Sequence, residues 1–559
     1  MNLVHMRVHN FRGILDSEIC LDQYSLFVGA NNSGKTTIID AIRAFYEKDG
    51  FKFKKENDFP LKGYLDNESW VEMTFQLTED ENISLKEEYQ NDQKTLRVKK
   101  VFLSDSLKVG LIFAYKSDGS LSTDPFYGAR NVQSGKFGDL IYIPAVSKVD
   151  EHTKLSGPSA LRDLISNIMS DVVENSDAYK NLSESVKEFS TQIKTLGTND
   201  NHSLAAFEKD FNKQIAEWDT TFQLTFTTPS TSEIIKSMLG WELKDNNYEK
   251  ALNVDSFGSG FQRQFIYSLI QLGAKYMPVK VSKKEKDFTP SFTLLLFEEP
   301  EAFLHPSQQE KLARSLMSLG KADNWQVICS THSSHFVSRR AEMICSLVKL
   351  ERTDGICKSY QLSPSDWKKI SSGNQSDVQT IATTYKMGAR SRPSAEDNDI
   401  DMESIKFFLW LNPDRASLFF AEKVLLVEGP TEVAFINKLI DDGKIVVPSG
   451  AYVLDCLGKW NMHRFMNLFG KLNIKHSVLY DDDAGQGVQQ GFNQLLQSSR
   501  NLSTCKIQSI TNDIETFLGV SPATNPHRKP QHLLFHYSKN NINQQLLNSF
   551  CQIIDSCLA

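Results

Sequence analysis

Two stretches place acids where they could hold a metal. In KVLLVEGPTEV, residues 423–433, an apolar strand from Lys423 to Val427 ends on Glu428, Gly429 and Pro430 turn, and Glu432 falls on the first helical turn. In HSVLYDDDAG, residues 476–485, the strand Val478-Leu479-Tyr480 runs into Asp481, Asp482 and Asp483. Two strand ends thus present carboxylates at the carboxyl edge of an expected parallel sheet, the edge where α/β sites form. Like charges a few ångströms apart are strongly unfavourable, so the cluster calls for a metal, and hard oxygen donors suit Mg²⁺ or Mn²⁺. Asp482, the middle residue, is expected to point away by the two-residue strand period.

A second constellation handles phosphate. FVGANNSGKTTI, residues 27–38, spells G-x-x-x-x-G-K-T. Inward amides of such a loop cradle phosphates, Lys35 reaches the terminal ones and the Thr36 hydroxyl can ligate magnesium. Asn31, Gly34 and Thr37 complete the loop. The motif needs a strand before it, read as Tyr24–Val28, and a helix after it, read from the spacing of Ile38, Ile39, Ala41, Ile42 and Phe45. Hydrolysis needs a carboxylate on a buried strand, and TLLLFEE, residues 293–299, supplies one. Glu298 would hold Mg²⁺ through water and Glu299 would polarise the attacking water.

The elements carrying these groups need several cores, because 559 residues exceed what one core serves. Hydrophobic content of 40% and charged content of 23% describe a soluble globular chain, with no apolar run near the ~18 residues a membrane span requires. MNLVHMRVHNFRG lacks the apolar region of a signal peptide. Eight scattered cysteines with no C-x-x-C pair point to reduced thiols in the cytoplasm. A net charge of −7 leaves any DNA contact to local basic patches, such as the loop with Lys280, Lys283, Lys284 and Lys286.

TLLLFEEPEAFLHP resembles the Walker B and D-loop of ATP-binding-cassette-type ATPases, in the branch shared by SMC, RecF and Rad50-like proteins. RVHNFRGI at 7–14, SFGSGFQRQ at 256–264 and ICSTHS at 328–333 resemble that branch's N-terminal strand, signature motif and switch loop. The resemblance implies ATP as cofactor, Ser259 and Gly260 at a γ-phosphate, and His332 as its sensor. A signature motif completes the partner's site, so a homodimer or higher oligomer through the ATPase domain is implied. The acids around Glu428, Asp481 and Asp483 resemble a Toprim domain. An ABC-type ATPase followed by Toprim, with IYIPAVS at 141–147, is similar to the OLD family. That resemblance implies an ATP-regulated, metal-dependent DNA endonuclease in anti-phage defence, stand-alone, with a helicase-like subunit as in Gabija, or attached to a retron reverse transcriptase and its msDNA. It adds Glu432 and Glu515 as metal ligands and Lys529, in PHRKP, as a phosphate-neutralising lysine.

The expected fold is α/β: an ATPase over 1–157 and 224–387, a helical dimerisation insert over 158–223, a polar linker over 388–411 and a Toprim domain over 412–559. Within the insert, helices are read from Leu161 to Val173, Tyr179 to Thr195 and Leu204 to Trp218. Competing classes fare worse. A topoisomerase would need a nucleophilic tyrosine on a DNA-binding domain, and a primase a Cys/His zinc module. An ATP-gated DNA clamp or sensor without nuclease activity differs in one respect: its DNA binding would not depend on the carboxylates.

Overall fold

A computed structural model describes the chain apart from residues 48–49, 129–135, 146–164, 166–175, 197–202, 219, 228–229, 231–232, 235–238, 245–250, 253–255, 277–287, 289, 338–340, 388–399 and 484–486. It forms two compact units, Met1–Ala145 with Val281–Ala559, and Val146–Lys280.

The first unit opens with an antiparallel sheet ordered β2-β1-β4-β5-β6, from β1 (Asn2–Phe11), β2 (Ile14–Cys20), β4 (Ser69–Gln76), β5 (Thr95–Leu103) and β6 (Ile112–Ala114). Beside it lies a six-stranded sheet ordered β13-β12-β3-β11-β10-β7, from β3 (Tyr24–Val28), β7 (Asp139–Ile143), β10 (Thr293–Glu298), β11 (Trp325–Ser330), β12 (Leu347–Thr353) and β13 (Ile356–Gln361). All its neighbours pair in parallel except β12 with β13. The unbroken apolar run of β10 follows from burial on both faces: Leu294 to Phe297 are each at most 1% exposed. Glu298 pairs with Ser330 and Ser330 with Phe27, so three strand ends that carry chemistry stop at one level.

The second sheet of consequence runs β15-β14-β16-β17, from β14 (Lys423–Val427), β15 (Ala451–Asp455), β16 (Lys475–Asp481) and β17 (Thr504–Ile510). It is parallel throughout, as the sequence predicts. Helices Pro430–Asp441, Lys459–Lys471 and Val488–Ser498 connect successive strands. Leu425, Val427, Phe435, Leu439, Leu479 and Phe550 anchor its core.

The linker expected over 388–411 is corrected in its second half. Residues 388–399 lie outside the described residues, but Ile400–Trp410 is a helix. Its apolar run IKFFLWL outweighs the acidic lead that suggested a linker. Phe407 is fully buried and packs against the rings of Trp367, Trp410 and Phe465. Glu403 is fully buried, with both carboxylate oxygens 3.1 Å from Arg464 Nε. Glu403→Ala leaves that buried guanidinium unpaired, so the urea midpoint of the unit is expected to fall by the equivalent of about 3–5 kcal/mol; an unchanged midpoint would contradict the pairing.

The second unit holds helices Asp177–Thr195 and Leu204–Ile215, a 3₁₀ turn to Trp218, a short β8–β9 ladder (Leu243–Lys244 with Ala251–Leu252) and the helix Ser259–Tyr276. It spans Val146–Lys280, wider at both ends than the expected insert of 158–223. The helix predicted over Leu161–Val173 lies, apart from Ile165, outside the described residues, as does the loop with Lys280, Lys283, Lys284 and Lys286.

Candidate active sites

At the phosphate loop, β3 ends and the chain turns through Gly29 with φ 141° and Gly34 with φ 104° into the helix Lys35–Tyr46. A Cβ at Gly29 would sit 2.2 Å from the Leu350 carbonyl oxygen, so the residue must be glycine. Lys35 is buried and its Nζ donates to the carbonyls of Gly29 and Ala30, each at 2.9 Å. Burial lowers the Lys35 pKa to about 8, against the pull of Glu299 and Glu301. Asn31 and Thr36 are exposed, and Thr37 is half-buried on the helix. Asn32, next in the loop, accepts a hydrogen bond from Arg352 Nη1 at 2.8 Å.

Glu298 ends β10. Its Oε2 accepts from the Tyr142 hydroxyl at 3.1 Å, while Oε1 is buried with no hydrogen-bond partner among the described residues. Burial raises its pKa, and hydrogen bonds from Thr36 and Tyr142 work against that rise. An orphaned carboxylate oxygen beside the Thr36 hydroxyl fits a magnesium ion of bound ATP. Glu299 follows with φ 42°, and His332 Nε2 stands 3.5 Å from its Oε1. Burial, helped by Lys35, lowers the His332 pKa although Glu299 opposes it. Burial and Lys35 both favour the neutral ring over the imidazolium. Glu301 went unread in the sequence. It is the anchor of the His332 loop, accepting from the Thr331 hydroxyl at 2.8 Å and the His332 amide at 2.6 Å. In the second unit, Ser259 is exposed and Gly260 half-buried in the first turn of their helix, where amides have no helical acceptor.

At the acidic edge, the Asp481 amide donates to Glu428 Oε1 at 2.8 Å, tying the ends of β16 and β14 together. Glu432 Oε2 accepts from the Gly429 amide at 2.9 Å. Burial raises the pKa of all three acids. Glu432 rises to about 7, with Glu428 adding, and Asp481 to about 9, with Glu428, Glu432 and Asp483 adding. Asp482 turns away, its Oδ1 accepting from the Asn512 amide at 2.7 Å.

Asp483 reaches the same edge but is paired with a lysine. It adopts φ 49° and its Oδ2 is paired with Lys459 Nζ, which also lies 3.6 Å from Glu428 Oε1. Among the described residues, no group of three or more His, Cys, Asp or Glu stands ready to hold a metal. Where the sequence placed acids alone, Lys459 bridges Asp483 and Glu428. The donors still suit a divalent ion, because buried like charges at Asp481 and Glu432 call for more positive charge than one ammonium supplies.

Glu515 and Lys529 are brought to the same edge. Glu515 is fully buried on the short helix Ile514–Phe517, and its Oε2 faces Lys529 Nζ at 3.5 Å. Burial pulls the Lys529 pKa down, but Glu515 and Asp513 more than reverse it. Lys459 and Asp513 escaped the sequence reading. Asp513 caps its helix by accepting from the Thr516 amide at 2.7 Å, while standing 4.0 Å from Lys529. Only the strand-Gly-Lys-helix order in DCLGKWN hinted at Lys459.

Two sets of contacts join the phosphate loop to the acidic edge. Strand β12 pairs with β3 and carries Arg352, which holds Asn32. Its Glu351 Oε2 accepts from Asn473 Nδ2 at 2.9 Å, at the turn into β16. Beyond His332, the helix Ser334–Val337 packs on the helix Pro413–Ala416. There Arg415 Nη2 donates to Asp455 Oδ2 at 2.7 Å, gripping the turn that leads to Lys459.

These features define a class: a phosphate-loop ATPase core joined to a parallel sheet with an acidic carboxyl edge. A family model described as AAA ATPase domain matches residues 1–124 and 77–337, and one described as overcoming lysogenization defect protein-like TOPRIM domain matches residues 419–483. The Old nuclease of Escherichia phage P2 is 26% identical over 534 residues, covering 91% of this chain and 82% of that protein. Endonuclease GajA of Bacillus cereus (strain VD045) is 22% identical over 540 residues, covering 92% and 81%. Among solved structures, the SmcHead bound to the C-winged helix domain of ScpA is 14% identical and has a TM-score of 0.36, covering 66% of this chain and 100% of that one. The chain belongs to the OLD family, an ATPase domain followed by an OLD-like TOPRIM domain.

Proposed function

We propose that this chain is a divalent-metal-dependent DNA endonuclease whose cleavage is regulated by ATP, acting in defence against phage. The observation that carries the reading is the joint of β14 and β16, where Glu428 and Asp481 share a hydrogen bond and stand with Glu432, Lys529 and Glu515 at one sheet edge. Magnesium or manganese held by Glu428, Glu432, Asp481 and Asp483 would supply Lewis-acid charge for water activation and for the leaving oxygen. Glu515 would serve as a further ligand or as the brace of Lys529. Lys529, 35% exposed, would meet the scissile phosphate as a point charge.

The ATPase part is a switch in this reading. Lys35, Thr36 and Glu298 hold ATP and magnesium, Glu299 polarises the attacking water, His332 senses the γ-phosphate, and Ser259 and Gly260 complete the site of a second copy in a homodimer. The Arg352–Asn32 and Arg415–Asp455 contacts support communication with the acidic edge. The names of the relatives, Old nuclease and Endonuclease GajA, support DNA cleavage. A helicase-like subunit or a retron reverse transcriptase with its msDNA is the partner class to test for.

The deciding experiment incubates plasmid and linear DNA with Mg²⁺ or Mn²⁺, with and without ATP, comparing wild type with Glu428→Ala. Cleavage that EDTA and the substitution both remove is expected. If wild type leaves DNA intact in every condition while both proteins bind it equally, the clamp reading replaces this one.

A further inference from the structure

Lys459 is 3% exposed, the first residue of the helix Lys459–Lys471, and reaches the acidic edge at Asp483 and Glu428. Leu457 with φ 59° and Gly458 with φ 106° aim it there. The Gly458 amide donates to the Glu428 carbonyl at 2.6 Å, and the Leu457 amide to Asp455 Oδ1 at 2.7 Å. The ammonium rests on Asp483, 3.6 Å from Glu428 and 5.7 Å from the centre of the Tyr480 ring. A buried lysine with two carboxylates and an aromatic face has little reason to leave for water.

The charges divide unevenly around it. Lys459 faces Glu428 and Asp483, and Lys529 faces Glu515 and Asp513. Asp481 and Glu432, which both feel the other acids of the edge, make no ion pair among the described residues. A first divalent ion is drawn to these acids. A second, at Asp483, meets a cation already there.

We propose that Lys459 is a resident cation of the acidic edge, holding Glu428 and Asp483 closed to a second divalent ion until its ammonium is displaced. The proposal rests on the metal-dependent reading above and adds the residue that sets metal stoichiometry. Lys459 is a positioning residue here, acting through Asp483. Arg415 grips Asp455 at the foot of the same turn.

The test counts ions and needs no DNA. Mn²⁺ is titrated into the full chain and free Mn²⁺ is read by electron paramagnetic resonance. Wild type is expected to take one tight ion and one weaker. In Lys459→Met the second ion is expected to tighten by about tenfold or more, the size of an ordinary coupling between neighbouring sites. A second-ion affinity in Lys459→Met equal to or below wild type would overturn the proposal. Should the loss of this buried charge prevent folding, Lys459→Arg decides. A forked, permanently charged group on Asp483 is expected to weaken the second ion by about tenfold, and an unchanged or tightened second ion would overturn it. Glu428→Gln separates the two ideas: if it binds Mn²⁺ as wild type does, the metal site is elsewhere and both readings fall. If it loses Mn²⁺ while Lys459→Met matches wild type, only the role of Lys459 falls.

Discussion

Asp481→Asn is expected to melt several degrees above wild type in metal-free buffer while losing cleavage about a thousandfold or more, the equivalent of several kcal/mol of metal-borne stabilisation. The stability half follows from the raised pKa. An unfolded Asp481 ionises near 3.8, but in the folded edge burial and four neighbouring acids hold its proton to about 9. Between those values the folded chain keeps a proton that the unfolded chain has released, so stability falls as pH rises from about 4 to about 9. Asparagine cannot ionise and escapes that loss. The gap in melting temperature should therefore widen with pH across this window and close when Mn²⁺ neutralises the wild-type edge. Scanning fluorimetry from pH 5 to pH 9, with EDTA or Mn²⁺, reads it directly. A variant less stable than wild type at every pH would mean that Asp481 is a structural carboxylate and not a strained ligand.

This trade of stability for ligation also explains what could be read from the sequence. Strand β14 lies where its apolar run placed it, because its four buried residues, Val424 to Val427, must all be apolar. The phosphate loop was equally legible, since its glycines answer to local backbone constraints such as the Leu350 carbonyl facing Gly29. Acids at the ends of strands were legible because strand ends are fixed by the sheet. Lys459 was not. Its importance depends on Asp483 and Glu428, distant in sequence and made neighbours only by the β15-β14-β16 order. Asp513 and Glu301 escaped for the same reason: a helix cap or a loop anchor looks like surface acid until its partners are known. The second half of the expected linker shows the opposite error, where an acidic lead concealed a helix, Ile400–Trp410, whose buried Glu403 has its partner sixty-one positions away.

Lys35→Ala is expected to lose roughly a hundredfold in ATP affinity, as removal of a buried charge-assisted contact does, and to erase the ATP response of cleavage while leaving ATP-free cleavage near wild type. Lys35 Nζ donates within its own loop, to the carbonyls of Gly29 and Ala30 and the Ser33 hydroxyl, so its removal leaves the Glu428–Asp481 joint intact. Fluorescent-nucleotide binding and plasmid cleavage, read side by side, test both halves. The partner variant is Arg415→Ala, which keeps the phosphate loop and cuts the grip on Asp455 at 2.7 Å. It should bind ATP like wild type and still lose most of the ATP effect on cleavage. A coupling carried by the helix Ser334–Val337 against Pro413–Ala416 demands that pair of results, because the two variants break the same chain of contacts at different links. An Arg415→Ala protein whose ATP response matches wild type would move the coupling to the Asn32–Arg352–Glu351–Asn473 contacts. A Lys35→Ala protein that still answers to ATP would remove the phosphate loop from regulation altogether.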